Sequence, residues 1–336
     1  MRAKTLVLPG NRIHSLVDMR RVLEISKKAF AAHARCKVQM PAKICIHLDP
    51  YNGDFRAMPA YVEGIEACGV KWVSVHPDNR KRGLPAVMAL IILSDPATGF
   101  PLAVMDGTFI TNLRTGAAGA IAASCLAKKG SSRIGFVGCG VQAGFQLFAL
   151  SRVFKLKAIS LYDADRAQAA NFARRSKRLV RTVTVCKTVE ECVSRQDIVI
   201  TTTPSRKPIV RSSWISPGTH INAIGADAKG KEELDPAILK RARVVVDDLT
   251  QAMHSGEINV PVSKKVFKAS DICATLGQVI IGKRRCRTSD SDITIFDSTG
   301  LAIQDIAVAS YVYRKARSAL SRRGRQGRGF REIDFS

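Results

Sequence analysis

The sequence predicts an α/β fold in which a doubly wound parallel sheet is inserted into a discontinuous α+β domain. Three observations carry that prediction. Strand patterns crowd residues 44–105 with no helix pattern between them. Near residue 130 the rhythm changes to strand alternating with helix, the mark of a parallel sheet covered on both faces. A last apolar helix pattern over 301–320 follows once that alternation has ended, so the chain is expected to return to the domain in which it began. The expected divisions are 1–120 for the first part of a discontinuous substrate domain, 121–302 for the inserted domain, and 303–336 for the return helix and a basic tail.

Each element has its own local reason. Residues 15–32 read as a helix because Leu16, Met19, Val22, Leu23, Ile25, Ala29 and Phe30 recur at helical spacing. Residues 44–48, 53–61 and 69–76 read as short strands. The strands 87–93 and 101–105 are joined by the turn-rich Ser94-Asp-Pro-Ala-Thr-Gly99. Successive strands of this kind imply a mostly antiparallel sheet. Residues 111–127 form a helix of small side chains suited to close packing. Then come strand 134–137, helix 143–154, strand 158–162, helix 165–179, strand 182–185 and helix 188–194. Strands 198–202, 220–224 and 244–247 are expected to complete the second sheet, most of them without apolar–polar alternation, as double-sided burial requires. Ser298-Thr299-Gly300 offers hydroxyl caps for the last helix.

Bulk properties narrow the class. No apolar run reaches the roughly 18–20 residues of a membrane span, and the N-terminal apolar stretch is too short for a secretory signal. The nine cysteines are scattered with no C-x-x-C pair. They are expected to be reduced thiols of a cytoplasmic protein, neither a disulfide framework nor a zinc site. Cys139 is the thiol expected to react. The six histidines lack metal-ligand spacing, so no metal is expected. The net charge is +25, and residues 314–331 supply eight Lys or Arg with no acid. Such a tail is expected to be solvated and to give non-specific polyanion binding. No nucleic-acid fold signature accompanies it.

The stretch from Arg133 to Ala143 is the most informative. An apolar strand runs into Gly138-Cys-Gly140, and a helix pattern follows at once. Gly138 permits a tight turn, Gly140 a close approach of backbone to a pyrophosphate, and Ala143 close packing of helix on strand. The helix start would meet phosphates with its unpaired N–H groups. Asp163, ending the next strand, is placed for the ribose hydroxyls of NAD. With no arginine directly after it, NAD is favoured over NADP.

Several residues offer chemistry. Arg114, at the helix start Asn112-Leu-Arg114-Thr115, has the fork geometry to grip a carboxylate. Lys71 interrupts an apolar strand between Val70 and Trp72. It is either a desolvated acid–base group or a solvent-facing lysine on a half-buried strand. Lys43 and Arg56 by themselves read as surface charges. Asp227 follows an apolar strand at the edge where α/β sheets bind ligands, or else caps a loop. His76 and His220 are structural histidines or neighbours of a site.

These pieces, in this order, resemble the ornithine cyclodeaminase/mu-crystallin family, and especially its archaeal alanine dehydrogenase branch. The resemblance runs through Phe55-Arg56-Ala-Met-Pro-Ala60, Gly69-Val-Lys71-Trp, Asp95-Pro-Ala-Thr-Gly-Phe-Pro-Leu-Ala-Val-Met-Asp106, Leu113-Arg114-Thr115-Gly, Gly138-Cys-Gly-Val-Gln-Ala143, Ile221-Asn-Ala-Ile-Gly-Ala-Asp227 and Phe296-Asp-Ser-Thr-Gly-Leu-Ala-Ile-Gln-Asp305. It implies a homodimer paired through the first domain. It implies a substrate pocket of Lys43, Arg56, Lys71 and Arg114, with Lys71 and Asp227 catalytic. It implies an NAD site of Thr115, Gly138, Gly140, Val141, Gln142, Ala143, Asp163, Thr202 and Ser298. The implied reaction is oxidative deamination of L-alanine to pyruvate and ammonia, through hydride transfer and an imine. Ornithine cyclodeamination, imino-acid or ketimine reduction, and NAD(P) binding without catalysis are the alternatives. Arg56 stands where ornithine cyclodeaminases of the family carry a glutamate, which disfavours a distal ammonium.

Overall fold

The computed structural model describes residues 4–323 and 330–335. The chain divides into two compact units, Met1–Arg114 with Leu301–Ser336, and Thr115–Gly300. No helix among the described residues is long and apolar enough to cross a membrane.

The first unit is built on a sheet in the order Arg331–Ile333, Thr5–Leu8, Pro101–Asp106, Val87–Ser94, Ala67–Val75, Gly53–Val62 and Val38–Gln39, with Ile44–Leu48 also paired to Gly53–Val62. Every pairing is antiparallel except Thr5–Leu8 with Pro101–Asp106. Alternation sets its two faces. Arg56, Met58, Ala60 and Val62 point into the core from one strand, as do Ala89, Ile91 and Leu93 from another. Helix Ala302–Arg323 packs over that inner face and against helix Met19–Ala34.

The single helix expected over 15–32 is two, Gly10–Leu16 and Met19–Ala34. Asp18 separates them by accepting a hydrogen bond from Arg20 N, which starts a new helix instead of continuing the old one. The basic segment also departs from expectation. Ala302–Arg323 carries its first cations, residues 324–329 lie outside the described residues, and Arg331–Ile333 pairs with Thr5–Leu8 as an edge strand.

The second unit is an eight-stranded parallel sheet: Thr182–Val185, Ala158–Tyr162, Arg133–Val137, Ile198–Thr201, His220–Ala223, Ile293–Asp297, Ala242–Val246, Ile272–Thr275. Its strand order reverses between Arg133–Val137 and Ile198–Thr201, the point at which open α/β sheets take ligands. The sheet is not complete at residue 247. Ile293–Asp297 enters its middle, between His220–Ala223 and Ala242–Val246, and Ile272–Thr275 closes one edge. The apolar runs of the central strands are buried on both faces, whereas the edge strand Thr182–Val185 is mostly exposed. Short parallel strands Arg206–Val210 and Glu232–Leu234 form a separate pair.

The cysteines depart from the expectation of free thiols. Cys273, in the edge strand Ile272–Thr275, is disulfide-bonded to Cys286 with Cα atoms 6.1 Å apart. Spacing gave no warning, because the thirteen-residue separation matches no common framework. Closing a loop of about this size contributes roughly 3 kcal/mol by restricting the unfolded chain. The Cys273→Ser/Cys286→Ser variant is therefore expected to lose about 2–3 kcal/mol in urea unfolding; a midpoint equal to the parent's would show that the bond contributes nothing.

Candidate active site

Lys71 lies opposite Met58 on one neighbouring strand and Ile91 on the other. Cross-strand partners share a face, and both partners are core residues, so Lys71 projects under helix Ala302–Arg323 with 1% of its surface exposed. The solvent-facing alternative is thereby excluded. Its Nζ donates to Asp305 Oδ2 at 2.7 Å. The other oxygen of Asp305 accepts from Arg114 Nε at 3.0 Å and from Thr111 Oγ1 at 3.4 Å. Thr111 and Arg114 stand three residues apart on helix Gly107–Leu126 and so share a face.

The protonation states follow from burial set against charge. Lys71 is lowered to about 7, chiefly by burial and further by the cations Arg114 and Lys43, with the carboxylate of Asp305 opposing them. Burial alone would raise Asp305, but Arg114 and Lys71 together hold it below the ordinary carboxylate value. Asp305 is the site residue the sequence reading did not single out. Its signal was present: a carboxylate in the first turn of an apolar helix needs a cation, and Lys71, flanked by Val70 and Trp72, needs an anion. Nothing local joins residues 234 positions apart.

Lys43 is close enough to depress Lys71. Arg56 points to the same face, two residues out of register with Lys71. It is not a bare cation, for its Nε and Nη2 donate to the two oxygens of Asp54 at 2.7 and 2.9 Å. The repulsion expected of Arg56 toward a distal ammonium is therefore offset by Asp54.

In the second unit Gly138 has φ +92°, and an added Cβ would lie 2.9 Å from the carbonyl oxygen of Thr202. Only glycine fits this turn, which is tied down by Gly138 N to Tyr162 O at 2.9 Å and Thr202 Oγ1 to Gly138 O at 3.0 Å. Gly140 caps helix Val141–Leu150 without a side-chain partner, and a Cβ there would meet nothing within 4 Å. That open flank, the exposed Val141 beside it and the N–H groups of the first helical turn fit a phosphate. Ala143 is fully buried, as close packing of the helix requires.

Asp163 shapes the same turn: its oxygens accept from Cys139 N at 2.7 Å and Asp165 N at 2.9 Å. A carboxylate has about four acceptor sites, so two accepted N–H groups leave capacity for ribose hydroxyls. Gln142 follows in the helix, with its carbonyl oxygen buried. The carbonyl of Thr115 accepts from Gln146 Nε2 at 2.9 Å. Cys139 is not the reactive thiol, since burial pushes it up to about 12.

At the carboxyl edge of the sheet, buried carboxylates hold the loops. Glu233 accepts from Thr201 Oγ1, Thr203 N and Gly225 N at 2.7, 2.7 and 2.9 Å. Asp247 accepts from Thr299 N and Gly300 N, both at 2.7 Å, and so fixes the turn that carries Ser298. Burial, reinforced by the charge of Glu233, raises Glu257 well above the ordinary carboxylate value. Asp227 is half-buried and paired with Lys231 at 2.5 Å. His220 is structural: burial lowers it to about 3, and its ring nitrogens face Thr294 Oγ1 and Asn222 Oδ1 at 2.9 and 3.0 Å.

Comparison with known proteins bears on the fold and the family. The family model described as ornithine cyclodeaminase/mu-crystallin family matches residues 3–319. An alanine dehydrogenase of Archaeoglobus fulgidus is 52% identical over 315 residues, 94% of this chain and 96% of that protein. A solved archaeal alanine dehydrogenase dimer with bound NAD superposes with a TM-score of 0.92 at 50% identity, covering 99% of this chain and 100% of the other. The Thermococcus litoralis Δ1-pyrroline-2-carboxylate reductase, solved with NADH and L-proline, gives a TM-score of 0.91 at 38% identity, covering 94% and 98%. The glycine turn, the buried lysine and the near-complete match together place this chain in the ornithine cyclodeaminase/mu-crystallin family.

Proposed function

We propose that the protein is an NAD-dependent amino-acid dehydrogenase that interconverts L-alanine with pyruvate and ammonia. The observation that carries this reading is the buried Lys71, close to half-protonated at neutral pH between a carboxylate and a guanidinium. A group so poised can take and return a proton within one turnover. The 52% identical alanine dehydrogenase of Archaeoglobus fulgidus supports the choice of substrate. NAD, bound at the glycine turn, supplies the acceptor for the α-hydrogen as hydride. Arg114 and Lys43 hold the α-carboxylate. Asp227 takes a proton from the water that adds to the imine, and Lys71 delivers a proton to the departing ammonia. The balance is alanine, NAD⁺ and water to pyruvate, ammonium, NADH and a proton. Asp163 favours NAD over NADP, because a 2′-phosphate would meet its carboxylate.

A second reading has its own support. Reducing a cyclic imine such as Δ1-pyrroline-2-carboxylate needs a hydride and one proton donor, which Lys71 also provides, and a 38% identical relative is such a reductase. Purified protein should form NADH with L-alanine and NAD, and consume it with pyruvate and ammonium. NADH consumption with pyrroline-2-carboxylate alone would favour the reductase, and proline from ornithine without net NADH change would favour the cyclodeaminase. Lys71→Ala and Asp227→Ala should each bind NADH yet lose about 10²–10⁴-fold in kcat; near-parental turnover in either would remove that residue from the mechanism.

Asp305 raises the proton affinity of Lys71. In Asp305→Asn the limb of the kcat/KM–pH profile belonging to Lys71 should move below its starting position near pH 7, and Asp305→Glu should restore it. An unmoved limb would mean that the profile does not report Lys71.

The outer face of the first unit's sheet supports a homodimer. Ile44, Ile46, Trp72, Leu90 and Ile92 are exposed there, and Phe55 stacks on Trp72 at 5.2 Å. An apolar face of this kind marks an association surface, and the archaeal relative is a dimer. Trp72→Glu with Leu90→Glu should sediment as a monomer where the parent sediments as a dimer. The charge of +25 also favours non-specific adhesion to polyanions at low salt.

A further inference from the structure

The loop over residues 225–231 carries Asp227 and is tied down at both ends. At its start Ile224 N donates to Thr201 O at 3.0 Å and Gly225 N to Glu233 Oε2 at 2.9 Å. At its end the buried Asn259 accepts from Gly230 N and donates to Lys231 O, both at 2.9 Å, and Glu232 N donates to Ser205 O at 3.1 Å. The neighbouring loop, over residues 202–205, is held by the same Glu233. Its Oε1 accepts from Thr203 N and Thr203 Oγ1, both at 2.7 Å, and its Oε2 accepts from Thr201 Oγ1 at 2.7 Å. Glu233 is fully buried, and each of its oxygens takes one backbone N–H and one hydroxyl. The two loops meet closely: a Cβ at Gly225 would lie 2.6 Å from Thr203 N and 2.7 Å from Glu233 Cδ.

We propose that Glu233 is a positioning residue that clamps the Asp227 loop to the Thr202 loop and so places Asp227 for the addition of water to the imine. This rests on the reading of the protein as an amino-acid dehydrogenase with Asp227 as its base. The argument is one of saturation. A carboxylate has about four acceptor sites, and Glu233 fills them from two loops at once. With every site taken by a donor at hydrogen-bond distance, neither loop can shift without stranding a buried polar group. Burial raises Glu233, and the bonds from Thr201, Thr203 and Gly225 oppose that rise.

The step concerned is narrow. Loss of the α-hydrogen as hydride turns the amine into an imine before any water is needed. Water oxygen then bonds to the imine carbon, the π pair of the carbon–nitrogen bond moves to nitrogen, and Asp227 takes the proton that water loses. Displacing a catalytic group by about 1 Å slows its step by roughly 10²-fold, and here the hydride step would be spared.

Glu233→Gln keeps the shape and breaks the clamp. Whichever way the amide turns, its NH2 faces the N–H of Thr203 or of Gly225; a hydroxyl can rotate to accept, and a backbone N–H cannot. With L-alanine and saturating NAD, steady-state turnover should fall roughly 10²-fold, while single-turnover NADH formation in a stopped-flow instrument stays within about twofold of the parent. A fraction of misfolded protein would instead lower the NADH amplitude and leave turnover per remaining site unchanged, and that result would overturn the proposal. So would a slowed single turnover. The second readout needs no turnover. By mass spectrometry, amides of residues 225–231 should exchange with deuterium about tenfold faster in Glu233→Gln, while the turn over 298–300, held by Asp247, stays at the parent's rate. Unchanged exchange at 225–231, or a rise spread evenly over the chain, would make Glu233 merely structural and overturn the clamp. A parent inert toward L-alanine would overturn the alanine reading and the catalytic role with it, a failure told apart because exchange would still report the clamp. Should Glu233→Gln fail to fold, Thr201→Val removes one donor at constant volume and should give the same pattern with turnover slowed about threefold to tenfold; parental turnover and exchange there would overturn the proposal.

Discussion

An ammonium group cannot remain charged in an apolar core without a partner, and the first unit is arranged around that constraint. Lys71 is sealed between a sheet and a helix, and Asp305 is delivered to it at 2.7 Å by a segment 234 residues later in the chain. Stranding either charge alone would cost about 3–5 kcal/mol. The return of the chain after its long excursion through the second unit therefore supplies an anion as well as an apolar surface. Arg114 shares that anion, so three charges settle into a cluster whose protonation balance lies near neutrality. Chemistry and stability rest on the same carboxylate.

The second unit meets a related demand by other means. At the carboxyl edge of a parallel sheet the backbone N–H groups of the loops need acceptors, and solvent is largely excluded. Glu233, Glu257, Asp297 and Asp247 provide them. Burial first, and the neighbouring charges of Glu233 and Asp297 after it, raise Glu257 well above a surface carboxylate. The glycine turn lies at the reversal in strand order, where strands and helices leave one flank open.

Much of this was legible in the residues. The antiparallel run was recovered strand by strand, because its alternation has period two and its turns are rich in Gly and Pro. The glycine turn was legible because a strand, a left-handed turn and a helix start each leave a local mark. Later elements were harder. Ile293–Asp297 lies at the centre of its sheet yet comes after a long irregular stretch, so its place depends on hydrogen bonds to strands far away in sequence. The Cys273–Cys286 bond was missed for the same reason, since spacing does not say which thiols meet. The reactivity expected of Cys139 is opposed by burial, which raises its thiol, and burial is not local in sequence.

The sequence by itself determined the α/β class, the position of the glycine turn and the membership of the family, because propensity, periodicity and motif spacing act over a few residues at a time. The tertiary structure decided which side of its strand Lys71 faces, which acid it meets, and that Arg56 is already matched by Asp54. Those outcomes turn on electrostatics in a desolvated interior, where the energy of a charge depends on what folding brings within about 3 Å of it.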